Sequence, residues 1–435
     1  MEPLKFKYGL DEVPPFGELV FLGLQWLAIM IPIVVIIGNI VAGLHFDKLV
    51  EQIGYMQKVF FVVGASLLVQ LLWGHRLPLV TGPATILLVG IAAGRASGPG
   101  AIYTALALGG LILFLLSVAG LFRYLEKLFT PPVVATILIM IAFTLTPMIL
   151  DLSTSSALPE LAWANLCFVL IFVLCIFAVN KHVGGFWRST LIMWALIAGT
   201  VVYWLVFPRG LEGAPAVQTN IAADFLFETK LNLNFEPGVI ISFLVSFLAL
   251  AINDLGSIYS VGGLIKPDRM PERVVRGLSL TGVLNFLSGL GGVIGPVNFS
   301  LSPGVIASTG CASRFTLVPA GLILLALSFL PSTIAFIGGI PSVVVGGVFL
   351  YIMCSQIAAG LIMVVGSEKG FYFENGLVIG LPLMLSVIVS FLPDGVLNTF
   401  PLILRPLLGN GFVVGVLAVM VMEHLVFREK RGDEQ

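Results

Sequence analysis

Residues 295–304 read GPVNFSLSPG, and they interrupt an apolar part of the chain with prolines, glycines and polar side chains. A second stretch of this kind, VTGPAT, occupies residues 80–85. Glycine and proline break a helix, and the backbone groups they leave unpaired survive at membrane depth only inside protein or beside a wet cavity. Both stretches therefore predict a break followed by a half-helix, with Gly82, Pro83 and Pro303 as the breaking residues. Both prolines are expected in the first turn of those half-helices, where no N–H donor is needed.

The composition around these stretches is that of a polytopic membrane protein. Of 435 residues, 58% are hydrophobic and 10% are charged, against about 25% charged residues in a soluble domain. The net charge of −1 gives no indication of nucleic-acid binding. The four cysteines stand at no metal-ligand spacing, and no nucleophile–base pair or phosphate-binding loop is evident. We therefore expect no metal, no cofactor and no enzyme. The four histidines lie near segment ends, which makes them weak candidates for a buried proton relay.

Fourteen apolar segments are predicted, most of about the 20-residue length that a spanning helix needs. They cover residues 17–38, 55–74, 78–92, 101–121, 131–150, 161–180, 187–207, 238–263, 275–294, 299–311, 315–331, 343–364, 376–392 and 408–427. Segments three and ten contain the two breaks and are too short for simple spans. With this count, 16 of the 22 basic residues fall on the side that holds both termini and 6 fall on the other. Because basic residues mark the cytoplasmic side, both termini are predicted to be cytoplasmic, in a multi-pass protein of the cell inner membrane.

The long polar stretch at residues 208–237 divides the chain into two halves of seven segments. An odd number per half means that the second half enters the membrane from the opposite side, so the repeat is inverted. The predicted units are residues 1–210, a linker at 211–237, and residues 238–435. Broken segments in the third position of both halves are the sequence pattern of a transporter's substrate site.

Asp254 is the only charge within residues 238–265. A carboxylate at membrane depth costs several kcal/mol unless it is hydrated, paired or neutralised, and it marks a functional site by default. We predict that it binds the coupling proton or sodium ion; the alternative is a protonated or hydrogen-bonded Asp that packs helices. Asn253 and Asp254 point about 100° apart on a helix, so one of them is expected to face the substrate. Ser257 can share either face.

The residues beside the breaks complete the predicted substrate site, because half-helix N-termini present free N–H groups and a positive dipole end there. Phe299 is expected either to stack on a substrate ring or simply to pack. The predicted substrate-binding residues are Ala84, Thr85, Asn253, Asp254, Ser257, Phe299, Ser300, Leu301, Ser302 and Gly304.

Further motifs are spread over the whole chain. They are Leu24-Gln25-Trp26, FTPP at residues 129–132, IPSVVVGG at residues 340–347, Gly282 with Ser288 and Gly289, and Gly304 with Thr309 and Gly310. In these motifs the chain resembles the nucleobase–ascorbate transporter family of nucleobase–cation symporters, the xanthine/uracil permease type. The resemblance implies an all-α membrane fold of fourteen segments in a 7+7 inverted repeat, with segments three and ten each a short strand plus a half-helix. It also implies a core domain from segments 1–4 and 8–11, a gate domain from segments 5–7 and 12–14, and a homodimer packed through the gate domains.

The chain departs from that family at the substrate anchors. The usual carboxylate of segment eight falls at Asn253, with Asp254 one place later. The usual Glu or Gln of segment ten falls at Leu301, and Ser302 stands where Asn is usual. The aromatic of segment three falls at Thr85. These departures indicate a divergent member whose fold and transport mode carry over better than its substrate.

The resulting hypothesis is a secondary active transporter that couples a proton or sodium ion to uptake of a nucleobase or related heterocycle by alternating access. The alternative is an anion transporter of the sulfate-permease type, which shares this architecture and has no need of acidic side chains in its site. Such transporters usually carry a soluble domain after the last segment, whereas about eight residues follow segment fourteen here.

Overall fold

The computed structural model describes residues 6–121, 130–154, 161–184, 187, 190–207, 233–299, 302–365, 372–397, 399–401 and 408–427. Within these ranges the protein is mostly helical, as predicted. Eight of the helices are long and apolar enough to cross a membrane, or nine if one sharply bent pair forms a single span. Two more apolar helices, Leu191–Val206 and Gly411–Val426, are shorter. The expectation of a polytopic membrane protein is therefore confirmed.

The helices and strands of the described ranges are numbered here in chain order. They are α1 (Phe16–His45), α2 (Leu49–Leu72), β1 (Thr81–Pro83), α3 (Thr85–Ala93), α4 (Gly98–Val118), α5 (Pro131–Thr144), α6 (Thr146–Thr154), α7 (Ala162–His182), α8 (Leu191–Val206), α9 (Pro237–Ile265), α10 (Met270–Leu290), β2 (Pro296–Asn298), α11 (Ser302–Thr309), α12 (Val318–Ser328), α13 (Pro331–Gly338), α14 (Ser342–Val365), α15 (Phe373–Ser390), α16 (Asp394–Leu397) and α17 (Gly411–Val421).

The two sequence breaks form a two-stranded antiparallel ribbon inside the protein. β1 and β2 pair in the register Thr81 to Asn298, Gly82 to Val297 and Pro83 to Pro296, and both strands are buried. A short helix follows each strand, α3 after β1 and α11 after β2. The ribbon supplies hydrogen bonds for backbone that the broken helices cannot pair, as membrane depth requires.

The two prolines of the breaks take different positions. Pro303 lies in the first turn of α11, as predicted. Pro83, however, is the last residue of β1, opposite Pro296, so its expected place in the first turn of α3 is wrong. Because proline has no N–H to donate, it fits the end of a short ribbon where no ladder bond is lost.

One predicted segment differs from a simple span. The chain bends by 97° between the helical stretches Arg314–Ser328 and Pro331–Gly338. Pro331 cannot continue the preceding helix, since it lacks an N–H and clashes with the turn before it. The predicted segment at residues 315–331 therefore ends at this bend, and a second short helix follows.

Helices α4 and α10 pack backbone against backbone next to the ribbon. A Cβ atom added at Gly282 would lie 2.5 Å from the Phe114 nitrogen, and one at Gly289 would lie 2.5 Å from the Ala107 nitrogen. Real Cβ atoms do not approach so closely, so both positions need glycine. This contact fixes α10 beside the ribbon and so positions the polar side chains described next.

Candidate functional site

Asp254 lies in α9 with no solvent exposure. Its Oδ1 accepts hydrogen bonds from the Asn298 backbone N–H at 3.2 Å and from Asn298 Nδ2 at 2.6 Å. Its Oδ2 accepts a hydrogen bond from Thr281 Oγ1 at 2.6 Å. Three donors aimed at the two oxygens suit an ionised carboxylate, which can only accept. The carboxylate therefore joins α9 to α10 and to β2.

Asn298 is the most connected side chain of the ribbon, and it is fully buried. Besides its bonds to Asp254, its Oδ1 accepts a hydrogen bond from Thr81 Oγ1 at 2.8 Å. Its backbone carbonyl accepts one from Ser257 Oγ at 3.0 Å and a longer one from Asn253 Nδ2 at 3.5 Å. One residue thus connects the acidic group, the opposite strand and the next two polar side chains of α9.

A second layer of polar side chains holds this cluster in place. Gln70 Nε2 donates to Thr281 Oγ1 and to the Gly277 carbonyl, each at 3.0 Å. Asn285 Nδ2 donates to the Pro296 carbonyl at 2.8 Å and ties β2 to α10. Among the described residues, Gln70 Oε1 and Asn285 Oδ1 have no hydrogen-bond partner, so the layer orients the Asp254 partners through its amide N–H groups.

His75 borders the cluster on the side of the α2–β1 connection. Its Nδ1 accepts a hydrogen bond from the Leu77 backbone N–H at 3.0 Å, which places the ring proton of the neutral form on Nε2. The ring lies beside the Asn298 side chain. The backbone carbonyl of His75 accepts a hydrogen bond from Arg273 Nη1 at 3.1 Å. His75 is fully buried, so its place near a segment end is no guide to its exposure.

A cavity of about 480 Å³ opens on the other side of the ribbon. Its volume falls in the ~300–1,000 Å³ range of small-molecule sites. The described residues around it are neutral, and its polar groups come from four helices, α3, α7, α9 and α14. The lining residues that carry polar groups are Thr85, Asn180, Asn253, Tyr351, Ser355 and Gln356, and aromatic rings are supplied by Phe299, Phe349 and Tyr351.

The structure divides the predicted site residues between the cavity and the buried cluster. Thr85, Asn253 and Phe299 line the cavity. Asp254 and Ser257 point to the ribbon instead, so of the two neighbours Asn253 is the one at the cavity. Ala84 and Ser302 form hydrogen bonds with the ribbon. The Ala84 N–H donates to the Gly295 carbonyl at 2.9 Å, and Ser302 Oγ accepts from the Val80 N–H at 2.9 Å.

The remaining predicted residues lie in or beside the breaks. Gly82 lies beneath the Phe299 ring: a Cβ there would be 2.6 Å from Cε2 of that ring. Gly304 is within α11. Ser300 and Leu301 lie outside the described residues. No group of three or more His, Cys, Asp or Glu side chains that could hold a metal occurs in the described part of the chain.

Several residues of the site carried no sequence signal strong enough to single them out as partners. Gln70, Thr281 and Asn285 lie in predicted segments, and their polar side chains could have been noticed as costly in lipid. Ser355 and Gln356 lie in α14, and their place at the cavity depends on packing between distant parts of the chain.

Comparison with known proteins agrees with the motifs. The permease-family model for xanthine/uracil permeases matches residues 17–395. The xanthine permease of Bacillus subtilis is 24% identical over 97% of this chain and 97% of its own length. The uric acid permease PucJ of the same organism is 26% identical over 91% of this chain and 88% of its own.

Among solved structures, the transmembrane domain of the cyanobacterial bicarbonate transporter BicA is similar in fold. The TM-score is 0.62 at 17% identity, with 87% of this chain and 98% of that one covered. At this identity the likeness concerns the fold alone. With the family match across most of its length, the chain belongs to the xanthine/uracil permease family of membrane transport proteins, which are not enzymes.

Proposed function

We propose that this protein transports a nucleobase, with an oxopurine such as xanthine or uric acid as the leading substrate class. The observation that carries the proposal is the cavity beside the ribbon, where the Asn253 amide and the Gln356 amide both line the wall together with Phe299. An amide offers a donor and an acceptor, which matches the alternating N–H and C=O groups of an oxopurine edge. An aromatic ring gives a face for a planar heterocycle.

The proposed architecture is fourteen segments in a 7+7 inverted repeat, with units at residues 1–210 and 238–435 and both termini cytoplasmic. Antiparallel pairing of β1 with β2 supports it, because strands from inverted halves meet in opposite directions. The core domain would contain segments 1–4 and 8–11, and the gate domain segments 5–7 and 12–14. The cavity is lined by α1, α3, α9 and α11, which fall in the proposed core segments, and by α7, α8 and α14, which fall in the proposed gate segments, as alternating access between two domains requires. A homodimer packed through the gate domains completes the proposal.

Asp254 is proposed to bind the coupling proton or sodium ion. The support is its complete burial and its place one residue after Asn253, which lines the cavity. The test is uptake by proteoliposomes that contain either the parent protein or Asp254→Asn. We expect gradient-driven accumulation to be lost while counterflow exchange of substrate persists. Accumulation at the parent rate in Asp254→Asn would refute the coupling role.

The substrate class is tested by measuring uptake of radiolabelled xanthine, uric acid, hypoxanthine and uracil, with sulfate and bicarbonate in parallel. We expect Asn253→Ala to weaken nucleobase binding at least about tenfold, as loss of a buried polar contact does. The matched control is Gly256→Ala on the same helix, where an added Cβ meets no atom within 4 Å. Leu301→Glu, at the position where the family usually has an acidic or amide anchor, is expected to change the order of substrate preference.

The sulfate-permease alternative remains a defined outcome of the same experiment. The fold likeness to BicA and the neutral cavity lining are the two observations in its favour. Uptake of sulfate or bicarbonate with no uptake of any nucleobase would establish that alternative and overturn the proposal.

A further inference from the structure

We infer that Asn298 transmits the protonation state of Asp254 to the substrate cavity and is thus a positioning residue for coupling. The inference rests on the coupling role proposed above for Asp254. Asp254 itself makes its side-chain hydrogen bonds inside the ribbon cluster, whereas its neighbour Asn253 lines the cavity. Through hydrogen bonds, a proton on Asp254 can therefore reach the substrate only by way of an intermediate residue.

The hydrogen bonds around Asp254 distinguish its two protonation states. Asn298 contributes two donors to Oδ1, its backbone N–H and its Nδ2. A protonated Oδ1 would be a donor itself and could not accept both. The backbone N–H cannot reverse its polarity, so either the Asn298 amide must rotate or this end of β2 must move.

Rotation of the Asn298 amide relieves only one of its two bonds to Asp254 Oδ1. The Asn298 Oδ1 accepts the Thr81 hydroxyl at 2.8 Å. A rotated amide would turn its N–H₂ group toward that hydroxyl, which can rotate to accept it, but the Asn298 backbone N–H would still point at the protonated Oδ1. Among the described residues, the titratable or charged groups around this cluster are His75 and Arg273. Arg273 Nη1 donates hydrogen bonds to the His75 and Arg76 carbonyls. Protonation of Asp254 on Oδ1 is therefore expected to move the strand end.

Movement of this strand end reaches the cavity directly. The residue after Asn298 is Phe299, whose ring lines the cavity, and the Asn298 carbonyl accepts from Asn253, which lines it too. A proton on Oδ2 would meet the Thr281 hydroxyl, which can rotate to accept it, and would still weaken both Asn298 bonds to Oδ1, because these bonds would no longer be charge-assisted. Asn298 is thus the contact through which protonation and substrate binding would influence each other.

The test compares Asn298→Ala and the similarly shaped, apolar Asn298→Leu with the parent protein. The first readout is the Kd for radiolabelled xanthine at several values between about pH 5 and pH 8. Coupling between two sites usually changes affinity about five- to 150-fold, and we expect a change in this range in the parent and a flat profile in both variants. The matched control is Asn410→Ala, which removes another buried asparagine; its side chain donates to Ser242 Oγ and accepts from the Phe412 N–H, and it has no hydrogen bond to Asp254. It is expected to keep the pH dependence.

A second readout needs no substrate. Phe299→Cys, in a chain whose native cysteines are replaced by serine, reports the accessibility of the cavity wall to a water-soluble thiol reagent. Its labelling rate is expected to depend on pH, and to lose that dependence when Asn298→Ala or Asp254→Asn is added. Unchanged pH profiles of Kd or of labelling in the Asn298 variants would overturn the inference.

Failure of the proposed function gives different results. If the parent protein binds no nucleobase, the substrate class is wrong, and the labelling readout still decides the role of Asn298. If Asp254→Asn keeps gradient-driven uptake, the coupling role of Asp254 is wrong and this inference falls with it. If Asp254→Asn loses that uptake while the Asn298 variants keep the parent pH profile, only this inference is wrong.

Discussion

The first arm of the ribbon, residues 80–85, and the second arm, residues 295–299, have similar backbones and different chemistry. Each runs through an extended strand, and a half-helix follows each strand. Backbone bonds tie them at both ends, from the Ala84 N–H to the Gly295 carbonyl at 2.9 Å and from the Phe299 N–H to the Val80 carbonyl at 2.8 Å. In the first arm, the Thr81 hydroxyl donates across to the second.

The second arm holds the groups that meet the acidic residue. Asn298 contacts Asp254, Thr81, Ser257 and Asn253, and Phe299 lines the cavity. Two arms with similar backbones therefore carry different chemistry. The first arm acts as a small, closely fitting support, and the second arm carries the polar contacts. The following changes test that division, beginning with the largest expected effect.

Gly82→Ala tests the fit of the first arm. The added Cβ would lie 2.6 Å from Cε2 of Phe299, so the ring must leave its place on the cavity wall. We expect substrate affinity to fall at least about tenfold, since overpacking forces neighbouring groups from their positions. The measurement is the Kd for radiolabelled xanthine. Gly256→Ala, in α9 and without neighbours within 4 Å, is the control, and equal affinities in the two variants would contradict the close-fit argument.

Composition and local pattern predicted much of this fold for definite physical reasons. Apolar length predicted the spanning helices, and the two Gly/Pro stretches predicted the breaks, because both features are local. Pairing of Thr81 with Asn298 joins residues 217 positions apart, and no local pattern encodes that register. Pro83 ends a strand because of the same pairing between distant residues, so local sequence patterns did not predict its position.

The site was predicted in part for similar reasons. Helical geometry showed that Asn253 and Asp254 face different ways, although it could not show which one faces the cavity. The answer depends on where β2 lies against α9. His75 is a comparable case, because α10 packs closely against it: a Cβ added at Gly277 would lie 3.1 Å from the His75 Cβ. Such contacts between distant segments decide the chemistry of the site.

Asn285→Ala tests how the second arm is anchored. It removes the hydrogen bond from Nδ2 to the Pro296 carbonyl at 2.8 Å and leaves that buried acceptor unpaired. The free energy of unfolding is expected to fall by about 1–3 kcal/mol, seen as a lower midpoint in thermal or denaturant unfolding in detergent. Unchanged stability would mean that the ribbon alone positions the second arm.

Thr81→Val tests the single polar contact that the first arm makes with Asn298. Valine has nearly the shape of threonine, so the main loss is the 2.8 Å hydrogen bond to Asn298 Oδ1. We expect about 1–2 kcal/mol of destabilisation and a pH profile of xanthine binding that is shifted but still present, because both Asn298 donors to Asp254 remain. A flat profile, as expected for Asn298→Ala, would mean that the first arm is as important for coupling as the second.

Ser302→Ala is expected to have the smallest effect, and it tests the support that runs from the second half-helix to the first arm. Ser302 Oγ accepts a hydrogen bond from the Val80 N–H at 2.9 Å, and its loss should cost about 1 kcal/mol. The Val80 carbonyl still accepts from Phe299, so the ribbon stays closed and Asp254 keeps its three donors. Thermal unfolding should therefore show a small decrease in the midpoint, while the pH dependence of xanthine binding matches that of the parent. A change in that pH dependence would show that coupling also runs through α11 and the first arm, and the division between a supporting arm and a chemical arm would then have to be abandoned.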